Sequence, residues 1–253
     1  MKSYKNLQSQ SYDPQNADFV PETLDIIIEQ KVELIVDKEV FLTFYCSPLD
    51  LEALAVGFLW NEGIISDLNE IKNLSVNAEN SRIDVSLLNT IKNKKTLLRS
   101  SSGMSVEDQT EKEQLENPFR TTANNIIQLY DVFLSKQNLH KSAGGFHSAA
   151  LSDGEIVNQT VEDLGRHNCL DKIYGRYLLD GMPFIPQLIL LSGRISSEMI
   201  HKILKMNIPV IVSRTTPTTR AVEIAKANDI TIIGYLRRGK FSIFSNPHRV
   251  LFE

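Results

Sequence analysis

The chain has 253 residues, 42% apolar and 23% charged, with a formal net charge of −4. At roughly 100–200 residues per domain this is one large domain or two small ones, and the apolar share supplies a buried core, which excludes wholesale disorder. No run of about 18 apolar residues occurs, the polar first segment has no signal-peptide core, and two cysteines, Cys46 and Cys169, build neither a disulfide framework nor a cysteine-rich zinc site; the expected compartment is the cytoplasm, with no membrane contact.

Residues 1–20 read as a mobile tail. The run TLDIIIEQKVELIVDKEVFLTFYCS is rich in β-branched and aromatic residues and reads as two or three strands with tight connections. Ser47, Pro48 and Asp50 carry a helix-start signature, with Ser47 as N-cap and Pro48 in the first turn. The helix continues through LEALAVGFLWNEG, burying Leu51, Leu54, Ala55 and Phe58 on one face and ending at Gly63. Two strands follow, near 70–77 and 82–88. Together residues 21–98 make a small α+β domain. Residues 99–120 are small, polar and acidic, and read as a mobile loop or linker. A helix is expected over about 121–136. From 145 onward strand and helix alternate: a hairpin about Ser152, Asp153 and Gly154, a helix over 167–180, then QLILLSG, SSEMIHKILKMN, PVIVSR, PTTRAVEIAKAN, ITIIGYL and FSIFS. Strands joined by single helices imply a largely parallel sheet covered on both faces over residues 121–253.

Charge is uneven along this plan. Residues 193–253 carry 10 basic and 4 acidic side chains, and residues 1–120 carry 12 and 20. A basic end on an acidic protein points to a local anionic ligand rather than to a grip on nucleic acid. Two strand-to-helix junctions repeat one pattern: Ser192, Gly193 and Arg194 after LILL, and Ser213 and Arg214 after VIV. Open α/β sheets bind ligands beyond the carboxyl ends of their strands, where helix amides face anions and arginines make bidentate phosphate contacts. Tyr235, Leu236, Arg237, Arg238, Gly239 and Lys240 form a third, cationic connection suited to a diphosphate. Gly144 with His147, and Arg166 with His167, add polar groups; Asp163 is placed to orient His167, and an acid–base enzyme on a nucleotide-like substrate, built on His147, His167 and Asp163, is a competing reading. A third reading is a docking module using the 99–118 segment. The nucleophile elbow, Walker A loop, zincin and zinc-deaminase signatures are absent, and no metal site is expected.

The blocks CSPLDLEALAVGFLWNEGII, SAGGFHSAAL, EDLGRHNCLDK, SGRISSEMI, PVIVSRTTPTTRAVEIA and GYLRRGKFSIFS, in this order, resemble the FdhD/NarQ family of formate dehydrogenase accessory proteins over about residues 24–250. The resemblance implies a cytidine-deaminase-like three-layer α/β/α domain beside the smaller α+β domain, and a cytoplasmic homodimer. It implies a sulfurtransferase-type role: sulfur taken as a persulfide from a cysteine desulfurase and passed to molybdenum bis(guanine dinucleotide) cofactor on its way to formate dehydrogenase. The family's cofactor loop falls on residues 235–240, and GDP is a surrogate ligand. The chain departs from the family at its cysteine pair, where Ser102 and Ser105 stand. A hydroxyl cannot carry sulfane sulfur as a thiolate does. The family role therefore stands beside an alternative, a cofactor chaperone or regulator without sulfur transfer. Cys46, just before a helix start, and Cys169, on a helix, are the candidate replacements.

Overall fold

The β-branched and aromatic run that opens the chain extends as its composition dictates, but pairing begins earlier than residue 20. A computed structural model describes residues 3–77, 79, 81–89, 97–100, 103–106 and 117–252. The first half comprises β1 (Tyr4–Asp13), β2 (Asp18–Ile27), β3 (Gln30–Val36), β4 (Glu39–Cys46), α1 (Leu51–Asn61), β5 (Ile71–Asn77), β6 (Arg82–Leu87), β7 (Leu97–Ser100) and β8 (Gly103–Val106). The second comprises β9 (Thr121–Thr122), α2 (Ala123–Ser135), α3 (Asn138–Ala143), β10 (His147–Ser152), β11 (Val157–Asp163), α4 (Arg166–Leu179), β12 (Leu188–Leu191), α5 (Ser197–Lys205), β13 (Val210–Ser213), α6 (Thr219–Ala227), β14 (Thr231–Arg237), β15 (Lys240–Ser245) and β16 (Val250–Leu251).

The segment read as a mobile tail is instead a long antiparallel hairpin, β1 on β2, with Leu7 opposite Leu24 and Tyr12 opposite Phe19. Polar residues hid it, because a hairpin with both faces open needs no apolar alternation. Part of the expected linker also pairs: β7 and β8 form an antiparallel ladder that sets Leu98 opposite Ser105. Ser102 lies outside the described residues.

Two larger sheets organise the rest. The N-terminal sheet runs β4-β3-β6-β5, and α1 packs on it through Leu51, Leu54 and Phe58 against Val32, Leu34, Phe44 and Ile83. The C-terminal sheet runs β11-β10-β12-β13-β14-β15, parallel across β12, β13 and β14 and antiparallel at both ends. Successive residues of LILL alternate between faces. Ile189 and Leu191 join Ile173 of α4, Met199 of α5 and Ala221 of α6, whereas Leu188 and Leu190 join Ile126 and Phe133 of α2 on the opposite face. The molecule is thus mixed α/β, and this sheet is covered on both faces, as continuous apolar strands require.

Helix α1 is buried nearly all round, not on the single face its spacing predicts, because α4 covers its other side. The crossing is made at two glycines: a Cβ on Gly57 would sit 1.8 Å from the Asp171 carbonyl oxygen, and one on Gly175 would sit 1.9 Å from that of Ala53. The helix start also differs. The first helical residue is Leu51, preceded by Asp50 in the left-handed region (φ 52°), and Ser47 caps nothing. Its hydroxyl goes into a buried network described below. Gly63 follows the helix with φ 65°, as a C-terminal glycine should.

Candidate functional site

Topology gathers the polar loops at one edge. Strands β12, β13 and β14 run parallel and end there; β10 runs against β12, so it begins there at His147; β11 ends there at Asp163, opposite His147. The turn from β14 to β15 sits at the same end. Arg238 (φ 51°) and Gly239 (φ 71°) make the two-residue turn between Arg237 and Lys240, a backbone that favours glycine at its second position.

The junctions after β12 and β13 are joined into one rim. The Ser213 hydroxyl donates to the Gly193 carbonyl at 2.8 Å, the Ile195 N–H donates to Thr216 O at 3.2 Å, and the Thr218 N–H donates back to Ile195 O at 2.9 Å. The Ser192 hydroxyl accepts from the Ser148 N–H at 2.9 Å, tying β12 to β10. Tyr130 of α2, which sequence reasoning missed, spans the strand ends: its O–H donates to Leu191 O at 2.8 Å and accepts from the Arg214 N–H at 3.0 Å. Burial raises this phenol's pKa, so it stays protonated.

The cations fall into two groups on this edge rather than one. On the α2 side, the Arg237 Nε donates to the Arg214 carbonyl at 3.1 Å, while Arg238 and Lys240 stand exposed on the turn. Tyr235 is 47% exposed and packs at a tilt against Phe244, at 5.9 Å between ring centroids. Leu236, expected in the cofactor loop, points inward instead and belongs to the core under α2. On the α4 side, Arg166 feels the charge of Arg194: burial first, then Arg194, lowers its pKa, with Glu198 opposing. The Arg166 Nε is buried with no hydrogen-bond partner. Gly193 faces the same corner, since a Cβ there would lie 3.0 Å from His147 Nδ1 and 3.6 Å from Arg166 Cβ. Burial, then the charge of Arg166, holds His147 below the usual imidazole range. Gly144 begins the turn into this strand with φ 65°.

Helices α4 and α5 both start here, and neither N-cap, Gly165 or Ser196, gives its helix a side-chain cap; α2 and α6, by contrast, are capped by Thr122 and Thr218. First-turn amides of two helices are therefore left for an anion. The His167 Nε2 lies 3.2 Å from Glu198 Oε2 and 3.4 Å from Ser196 Oγ. The acidic partner of His167 is Glu198, not Asp163.

Asp163 has another task. Its Oδ2 meets Lys172 Nζ at 2.6 Å and accepts from both the N–H and the hydroxyl of Ser47 at 2.9 Å. Its Oδ1 accepts from the Gly165 N–H and Asn168 Nδ2 at 2.8 Å. Both charged side chains are fully buried. The pair clamps the 163–168 turn to the end of β4, across the seam between the two sheets. The acid–base trio of His147, His167 and Asp163 is therefore not assembled.

Neither cysteine is available as a replacement sulfur carrier. Cys46 is fully buried, its thiol pushed up to about 12 by burial; Cys169 is buried on α4, and burial raises its thiol well above the usual range too. Burial thus favours the protonated thiol at both positions and keeps both sulfurs from solvent. Among the described residues no group of three or more His, Cys, Asp or Glu stands at metal-binding spacing, and no helix is long and apolar enough to cross a membrane.

Comparison with known proteins places these features. The family model described as FdhD/NarQ family matches residues 27–251. A protein of Staphylococcus haemolyticus named sulfur carrier protein FdhD is 35% identical over 220 residues, 83% of each chain. Its counterpart from Staphylococcus aureus is 33% identical over 235 residues, 89% of each. The fold matches a crystal structure from Desulfotalea psychrophila, assigned as a formate dehydrogenase accessory protein, with TM-score 0.81 and 23% identity, covering 99% of this chain and 100% of that one.

Proposed function

The chain belongs to the FdhD/NarQ family, and from that premise we propose that it is a formate dehydrogenase accessory protein that holds molybdenum bis(guanine dinucleotide) cofactor as cargo without carrying sulfur on a persulfide. One observation carries the reading: Arg166, Arg194, Arg214, Arg237, Arg238 and Lys240, from four chain segments, stand on a single sheet edge. The cargo's guanosine diphosphate ends are anions of the kind such an edge retains. The fit is supported locally by the unpartnered Arg166 Nε and by Gly193, whose bare Cα leaves the backbone approachable beside His147.

In this reading Arg237, Arg238 and Lys240 bind one diphosphate from the turn, and Arg214 sets the base of that turn through its carbonyl. Arg166, Arg194 and the free amides of α4 and α5 bind charge at the other corner. His147, kept neutral by its surroundings, donates or accepts without adding a further cation. The homodimer, the cytoplasmic setting and the cytidine-deaminase-like layering belong to this proposal through the family, whereas the cysteine desulfurase belongs only to the family's sulfur-carrying role. Delivery of sulfur is not part of this proposal: Ser102 and Ser105 replace the thiols, and the two cysteines are buried. Intact-mass measurement after incubation with a cysteine desulfurase and cysteine tests that part. The wild type is expected to stay unmodified, and Ser102→Cys/Ser105→Cys to acquire persulfide sulfur. A persulfide on the wild type that passes to the cofactor overturns it.

A further inference from the structure

The hairpin β1–β2 stands apart from both larger sheets and has two open edges. A two-stranded ribbon is only marginally stable in water by itself, and this one exposes Leu7, Tyr12, Phe19, Val20, Leu24 and Ile26. The two edges differ. Ile28 N–H donates to Ser3 O at 2.8 Å, which makes Ser3 and Ile28 a hydrogen-bonded pair. Alternation along the register then turns the amides and carbonyls of Tyr4, Asn6, Gln8, Gln10 and Tyr12 outward on β1, and those of Phe19, Pro21, Thr23, Asp25 and Ile27 outward on β2. Pro21 thus breaks the donor row of β2, and Asp18, Glu22 and Asp25 charge that strand, the usual devices that keep an edge from pairing. The outward row of β1 has no proline and no charge.

We propose that the outer edge of β1 pairs antiparallel with the same edge of a second copy of this chain, joining the two hairpins into a four-stranded sheet. The inference rests on the homodimer within the reading above and adds the surface that forms it. A two-fold axis through Gln8 lets every outward residue pair: Tyr4 with Tyr12 of the second copy, Asn6 with Gln10, and Gln8 with Gln8. The intervening pairs are Lys5 with Ser11 and Leu7 with Ser9, so no like charges meet. Tyr12 already packs edge-on against Phe19 at 5.6 Å between ring centroids. Tyr4 and Ile27 of the second copy extend that contact into one apolar row of four residues. The equivalent axis on β2 passes through Thr23 and sets Pro21 against Asp25 of the second copy on both sides of it, so each flanking pair lacks an N–H donor. The root of the hairpin reaches the candidate site's own turn: a Cβ on Gly145 would contact Ile27 Cδ1 at 3.3 Å.

Sedimentation equilibrium of the full chain tests this with substitutions at the axis, where each change counts twice. Gln8→Pro deletes both central N–H donors without touching the bonds to β2, and is expected to raise the dimer dissociation constant by tenfold or more. Gln8→Lys and Gln8→Glu each place like charges face to face and are expected to weaken self-association roughly fivefold at low salt. Their equimolar mixture is expected to recover wild-type affinity, which a merely damaged hairpin cannot do. Thr23→Lys, on the outward row of β2, is expected to change nothing. A wild-type dimer that survives Gln8→Pro overturns the inference and leaves the homodimer standing. Two weakened charge variants that fail to rescue each other overturn it as well. A wild type that stays monomeric overturns both.

Discussion

Replacing Lys172 by methionine isolates the clamp beneath the site. Lys172 and Asp163 are fully buried and 2.6 Å apart, and the lysine also donates to the carbonyl and hydroxyl of Ser47 at 3.0 and 2.9 Å. Methionine keeps most of the apolar stem but leaves the Asp163 carboxylate without its cation. Removing one partner of a buried pair costs about 3–5 kcal/mol, because the remaining charge stays desolvated. Four donors still reach Asp163, from Ser47 N and Oγ, Gly165 N and Asn168 Nδ2, which favours the lower half of that range. At about 2–4 °C per kcal/mol for a chain of this size, Lys172→Met is expected to lower Tm by roughly 6–15 °C. Adding Asp163→Leu removes the stranded charge, so the double variant is expected to be more stable than Lys172→Met alone. Urea denaturation and calorimetric scans read both effects. Because the clamp also sets the turn that carries Arg166 and His167, nucleotide affinity should fall in Lys172→Met at temperatures where the protein remains folded. A loss under about 1 kcal/mol, or a double variant less stable than the single one, refutes the clamp.

Three further outcomes follow from particular contacts. Gly57→Ala drives a methyl to 1.8 Å from the Asp171 carbonyl; the overpacking is expected to cost about 2–3 kcal/mol in urea denaturation even after the gain of nearly 1 kcal/mol in helix propensity, and an unchanged midpoint contradicts the close crossing. Cys46 and Cys169 should resist iodoacetamide in the native protein and react fully in denaturant, and rapid native labelling of either contradicts their burial. His147 has a pKa lowered from 6.5 by burial and by Arg166. As pH falls through the ordinary imidazole range, the unfolded chain binds a proton that the folded chain refuses. Stability due to this group is therefore complete above that range, falls as pH drops through it, and levels off below the lowered value. His147→Gln should flatten that part of the stability–pH curve, and an identical slope in the variant shows that His147 does not contribute.

Much of the fold was legible because burial wrote it into the strands. LILL, VIV and ITII are apolar on both faces, and each lies under helices on two sides. The helices from α2 to α6 fall near their expected positions except α3, a single short polar turn with no apolar period. The β1–β2 hairpin escaped because its open faces impose no alternation. The misplaced helix cap has a different cause: Ser47 carries the right chemistry for an N-cap, but a buried lysine 125 residues away outcompetes the helix for its hydroxyl. The edge itself could be predicted from the repeated Ser and Arg after parallel strands, since topology alone sends those residues to one end. Its division into two cation groups could not, because it depends on which face each side chain takes as its strand ends. Leu236 follows that rule inward while Arg237 follows it outward. Tyr130 and Glu198 carried no motif of their own; the acidic first turn of α5 was the one available signal for Glu198.

The most direct test of the anion-holding edge is calorimetric titration with GDP and with guanosine, using the wild type, Arg237→Ala/Arg238→Ala and Arg166→Ala/Arg194→Ala. Charge-assisted contacts of this kind are worth about 1.5–3 kcal/mol each. GDP should therefore bind the wild type far more tightly than guanosine does, and the turn variant, which loses two such contacts, should lose roughly a hundredfold or more in affinity for GDP while its weak affinity for guanosine is unchanged. Equal affinity for GDP and guanosine, or GDP binding indifferent to both arginine pairs, contradicts the account.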